Sequence, residues 1–115
     1  MDHYLIWCNL KNTSKDVAFC SDVDAYLGHL QEQGLIEGHL IMRRKLGLGP
    51  AQLGEFLIDI QTRDLAQLER AWALAAERTG GTEKLHFPVY TAAKDLSFAL
   101  YRDFPDAFRS AEPDS

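Results

Sequence analysis

Apolar residues recur at every second position from Tyr4 to Lys11, at helical spacing from Thr13 to Gln33, and again at every second position in Ile36 to Lys45 and Gly54 to Gln61. A second helical stretch runs from Leu65 to Arg78, and a last alternating one from Leu96 to Asp103. Period two sends successive side chains to opposite faces of a strand, whereas recurrence at three and four residues builds one stripe along a helix. The order is therefore βαββαβ, which predicts an α+β domain with a four-stranded antiparallel sheet and two helices on one face.

Local signals agree with these elements. Thr13-Ser14-Lys15-Asp16 has the form of a capping box, and Phe19, Val23, Tyr26, Leu27 and Leu30 make one apolar stripe before Gly34 ends the helix. Asp64 suits the N-cap of the second helix, with Leu65, Leu68, Trp72, Ala75 and Ala76 as its stripe and Gly80-Gly81 as its close. Gly28, inside the first helix, would be explained by a close approach of backbone to sheet. The stretch from Thr82 to Asp95 reads two ways: Leu85, Val89 and Ala92 have helical spacing, while His86 to Tyr90 around Pro88 could be extended. A short helix or irregular connector is the preferred reading.

The strands sort into two sets. Ile6, Cys8, Leu40, Met42, Phe56, Ile58, Ile60, Phe98 and Leu100 form an apolar set expected to meet the helices. Leu5, Trp7, Asn9, His39, Ile41, Arg43, Leu57, Asp59, Ala99 and Tyr101 form a second set that mixes bulky apolar groups with a few polar ones. Two helices cover only one face of such a sheet, so a second copy of the chain is the simplest cover for the other, and the mixed set suits the wall of a pocket.

The chain has 115 residues, 46% hydrophobic and 25% charged, which fits one globular domain over residues 1–109 with a polar, disordered tail over 110–115. Its net charge of -5 and the lack of a basic stripe argue against nucleic acid, since Arg43-Arg44-Lys45 alternates across a strand. No stretch is long and apolar enough for a membrane span, and Met-Asp-His-Tyr lacks the features of a signal peptide, so a cytoplasmic protein is expected, with Cys8 and Cys20 as reduced, buried thiols. No metal site and no cofactor are expected. Two potential ligands fall short of the three or four a metal needs, and Gly47 to Gly54 matches no phosphate loop.

With this order, size and second apolar face, the chain resembles the dimeric α/β-barrel proteins of ferredoxin-like fold. Its close, Phe98-Ala-Leu-Tyr-Arg-Asp-Phe-Pro-Asp106, is similar to that of an uncharacterised bacterial family within that superfamily. The resemblance implies a homodimer in which two sheets pack face to face and enclose a cavity in each subunit. It also implies a range of activities: cofactor-free monooxygenases, haem-degrading enzymes, cyclases, isomerases and members with none.

The expected chemistry centres on His39 as general base or proton shuttle and Asp59 as the group orienting it. Asn9 or Tyr101 would donate to an anionic oxygen, Arg43 and Trp7 would contact the ligand, and His86, in the connector, would be a second proton carrier. Such a set serves a small, largely apolar ligand such as a phenol or polyketide-like ring. The competing readings are an Arg43–Asp59 interface ion pair, Trp7 filling a dimer interface, and a non-catalytic dimeric structural or stress-related module. His3 and His29 are expected to be solvated.

Overall fold

The computed structural model describes residues 1–106; the expected tail over 110–115 lies outside the described residues. The elements run β1 (Asp2–Leu10), a short 3-10 turn (Thr13–Lys15), α1 (Asp16–Glu32), β2 (Gly38–Arg43), β3 (Phe56–Thr62), α2 (Leu65–Glu77), α3 (Gly80–Ala92) and β4 (Ala93–Arg102). The strands form one antiparallel sheet in the order β2-β3-β1-β4, with β1 between β3 and β4. This is the ferredoxin-like arrangement, with a third helix beyond the two expected.

That third helix occupies the ambiguous stretch. Leu85 and Val89 pack against the core from α3, and the chain passes straight into β4 at Ala93, so the connector is fully helical rather than short or irregular. Asp64 caps α2 as expected, accepting from the Gln67 amide at 2.8 Å. Gly34 ends α1 at φ +74. Three local expectations are corrected. Asn12, not Thr13, receives the Ser14 amide at 3.1 Å. A Cβ at Gly28 would meet nothing within 4 Å, so no close approach requires that glycine. Finally, α2 ends on the left-handed Arg78, and Gly80 opens α3.

The core lies between the sheet and α1, which contributes Phe19, Val23, Tyr26, Leu27 and Leu30 against Cys8, Leu10, Phe56 and Ile58. Phe19 meets Phe56 edge to face at 5.8 Å. Gln67, fully buried, ties the helix ends together: its amide nitrogen donates to Gly34 O at 3.1 Å and to Glu37 Oε2 at 2.7 Å. No helix among the described residues is long and apolar enough to cross a membrane.

The register corrects one sheet assignment. Leu40 lies opposite Asp59 and Met42 opposite Leu57, whereas His39 lies opposite Ile60 and Arg43 opposite Phe56. Directly paired residues share a face. Leu40 and Met42 therefore belong to the open face, 52% and 45% exposed, and His39, Ile41 and Arg43 point to the helix side. β2 is an edge strand with apolar residues in both of its alternate sets, so its own period cannot choose between faces. The pairing with β3 does, and acidic residues on the flank of α1 receive His39 and Arg43.

Candidate ligand cavity

Between the helices and the sheet lies a cavity of about 320 Å³, within the size range of small-molecule sites. Tyr4, Ile6, Ile58, Ile60 and Phe98 form its floor, and Tyr26, Leu27, Leu68, Trp72, His86 and Val89 are among its walls. The void follows from side-chain size: α2 turns Ala71 and Ala75 toward this space, where larger residues would fill it. Tyr4 stacks on Phe98 at 5.9 Å and meets Trp72 edge-on at 5.3 Å. Trp72 and Phe98 are also half-exposed, which marks the mouth on the β4 side.

Few polar groups line this space. The His86 ring lies flat on Tyr26 at 4.4 Å and meets the edge of Tyr90 at 4.7 Å, and its Nδ1 is buried without a hydrogen-bond partner. Burial, aided by the charge of Arg78, holds His86 below its ordinary pKa near 6.5, so the imidazole is neutral at pH 7. Burial pushes the Tyr26 hydroxyl up to about 12 and the Cys8 thiol up to about 11. Both keep their protons. Tyr90 donates to Glu83, and the Arg78 guanidinium lies 4.3 Å above the Tyr90 ring. The result is an apolar slot with one neutral base and one cation at its border.

Of the seven residues singled out from sequence, only His86 borders this cavity. His39 and Asp59 lie on opposite faces of the sheet, so the expected base and its orienting carboxylate do not meet. His39 Nε2 instead lies 3.1 Å from Asp24 of α1. Arg43 donates to Asp16 at 2.9 Å and Glu55 at 2.8 Å, with its guanidinium 4.8 Å over Phe56. No Arg43–Asp59 pair forms.

Trp7, Asn9, Asp59 and Tyr101 do share the open face. Asn9 accepts from the Glu55 amide at 2.9 Å and donates to Asp95 at 3.2 Å, which fixes the irregular β1–β4 junction. The partner of Asp59 is His3. Its Nδ1 lies 3.0 and 3.1 Å from the two Asp59 oxygens and its Nε2 2.6 Å from Asp103. Burial works against the charged ring, yet the bonds to Asp103 and Asp59 outweigh it and raise the His3 pKa. The His3 bond in turn lowers the pKa of Asp103. His3 is thus not the solvated histidine expected, and His29 lies 3.0 Å from Thr82 Oγ1. The signal that could have found His3 is its parity with Leu5 and Trp7, had the first strand been extended to include it. Among the described residues no group of three or more His, Cys, Asp or Glu side chains is placed to hold a metal ion.

Known structures share this architecture. A variant of SnoaB from Streptomyces nogalater, described as a cofactor-independent oxygenase, matches with a TM-score of 0.67 at 10% identity, over 92% of this chain and 95% of its own. An antibiotic biosynthesis monooxygenase matches at 0.59 and 12% identity, over 91% and 100%. A dimeric protein of unknown function and ferredoxin-like fold from Bacteroides fragilis matches at 0.57 and 6% identity, over 89% and 95%. At these identities the likeness is one of fold. No curated protein matches the chain by sequence. A family model does, over residues 1–113: the chain belongs to DUF6614, a family of unknown function.

Proposed function

We propose that the chain is a homodimer, paired through the open face of its sheet, in which each subunit binds a small, largely apolar ring compound in the cavity between sheet and helices. The observation that carries this reading is the cavity itself: an apolar slot in which the one imidazole is neutral and keeps an unpaired Nδ1. Apolar walls supply affinity, and a sparse polar set orients the ligand. A neutral imidazole out of water can accept a proton from a phenol or enol. The chemistry we assign is therefore of the kind shared by cofactor-free monooxygenases, cyclases and isomerases, with His86 as the base and His39 outside the site. The description of SnoaB as a cofactor-independent oxygenase supports the same class.

The dimer rests on the other face. Leu5, Trp7, Leu40, Met42, Leu57 and Ala99 form an apolar centre that no helix covers, flanked by Asp59, Tyr101 and His3 as a polar border. An apolar centre with a polar border is the anatomy of a subunit interface. Two free cysteines fit a reducing, cytoplasmic setting.

Native mass spectrometry of the protein taken from its own host tests both halves. The expected result is a dimer carrying a small retained compound, and loss of that compound in Ala75→Trp, which fills the cavity. A monomer at micromolar concentration would refute the interface. A dimer whose mass is the same as that of empty Ala75→Trp, after correction for the substitution, would leave the non-catalytic module as the better reading.

A further inference from the structure

We propose that Arg78 selects what enters this cavity, its guanidinium at the rim recognising a carboxylate on the ring compound held inside. The inference rests on the cavity being the ligand site, as argued above, and adds the chemical class of the ligand.

The first ground is conformational. Arg78 ends α2 at φ 56, in the left-handed region where glycine is the usual residue and a branched, charged side chain is uncommon. A glycine would end the helix without strain, yet the chain places an arginine there and a glycine at Gly80, φ 80, which opens α3. The conformation sends the side chain toward the cavity, where it joins the lining beside Tyr90 and His86.

The second ground is its partner set. Arg43, Arg63 and Arg102 each have a carboxylate partner, and Arg44 donates to the carbonyls of Pro50 and Leu53. Arg70, exposed on α2, and Arg78 form no ion pair with any described carboxylate, and of the two only Arg78 lines the cavity. Arg78 rests on an aromatic face instead, 4.3 Å from the Tyr90 ring centre. That contact holds the planar fork in place and leaves its N–H donors for another acceptor. Glu83 is the acid that shares its surroundings: the Tyr90 hydroxyl occupies its Oε1, and its Oε2 is buried without a hydrogen-bond partner.

The third ground is charge. Among the residues lining the cavity, Arg78 is the only one of the Asp, Glu, Lys and Arg types. His86 is neutral there at pH 7, so an anion at the mouth meets one cation on the lining, with the Tyr90-bonded Glu83 carboxylate just outside it as the opposing charge. The geometry of a guanidinium matches a carboxylate with two parallel N–H···O bonds.

Isothermal titration with 2-naphthoate and its neutral amide, 2-naphthamide, separates the possibilities. The expected result is that the unaltered protein binds naphthoate at least about ten-fold more tightly than naphthamide, with the margin shrinking as salt is added. Arg78→Gly should erase the preference by weakening naphthoate far more than naphthamide, and should fold normally because glycine accepts the left-handed conformation. Arg78→Lys should keep part of the preference, as a point charge without the fork. Equal affinity of the unaltered protein for both compounds would overturn the role of Arg78 while leaving the cavity reading intact. Equal weakening of both compounds in Arg78→Gly would make the residue structural. Failure of both compounds to bind at millimolar concentration would overturn the cavity reading and this one with it.

Discussion

Both faces of the sheet carry bulky apolar side chains, and they meet opposite fates. On the helix side, Cys8, Phe56 and Ile58 are buried by α1, and the same side opens into a cavity where α2 offers alanines. On the other side, Leu40, Met42, Leu57 and Trp7 meet no helix, and only the segment between β2 and β3, through Leu48, Pro50 and Leu53, borders Trp7, Met42 and Leu57. Adjacent residues of one strand thus belong to different problems: Phe56 is buried by α1, and its neighbour Leu57 lies on the face that no helix covers. One face is a core with a gap, and the other is the face on which the proposed dimer rests. The difference teaches that hydrophobicity along a strand reports burial but not what does the burying.

The largest expected effect breaks the helix side. Phe56→Ala should lower the unfolding free energy by about 4 kcal/mol, because it leaves a cavity beneath Phe19 and Arg43. The loss should be the same at every protein concentration in denaturant titrations; a concentration-dependent loss would move Phe56 to the interface. Leu40→Asp addresses the open face. It should weaken dimerisation by about 2 kcal/mol, roughly thirty-fold in Kd, by sedimentation equilibrium, with little change in the stability of the monomer. His39→Ala, one residue away on the other face, should leave the dimer intact. If His39→Ala dissociated it and Leu40→Asp did not, the register of β2 would be wrong.

Filling the gap should cost less. Ala75→Trp places an indole in the cavity and should change stability by under about 1.5 kcal/mol while abolishing ligand binding, read by titration calorimetry with 2-naphthoate. Retained binding with full affinity would place the ligand elsewhere, and the open face would then be the remaining candidate.

The order of elements was legible because each long segment carries one clear period, and even α3 was signalled by the spacing of Leu85, Val89 and Ala92. The face of β2 was not, because Leu40 and Met42 are as apolar as Ile41 and only the pairing with β3 separates them. That one inversion removed His39 and Arg43 from the expected site and left Asp59 without its presumed partner. The true partner, His3, lies 56 residues away in the chain, and Asp103 lies 100 residues from His3. Parity with Leu5 would have placed His3 on the same face, but its nearness to the terminus suggested solvent. The cavity was the least legible feature: a void is set by how three helices sit on a sheet, and no local period encodes it.

The smallest expected effect concerns that polar border of the open face, and its sign is fixed. His3 has a folded pKa raised above its ordinary value near 6.5, so its contribution is fully present below about pH 6.5 and fades as pH rises through the folded value. Asp103 has a folded pKa lowered below its ordinary 3.8, so its contribution is present above that value and fades as pH falls through the folded one. Together the pair stabilises most between these two ordinary values. The stability difference between the unaltered protein and His3→Gln, followed by thermal unfolding, should therefore be greatest near pH 5 and shrink toward pH 9. A difference that grew toward pH 9 would mean that His3 is held by its neutral form, and the Asp59–His3–Asp103 bridge would not be the ionic one its distances describe. If the open face is the interface, the same bridge borders it, and Leu40→Asp should leave the pH profile of His3 shallower as water reaches the cluster.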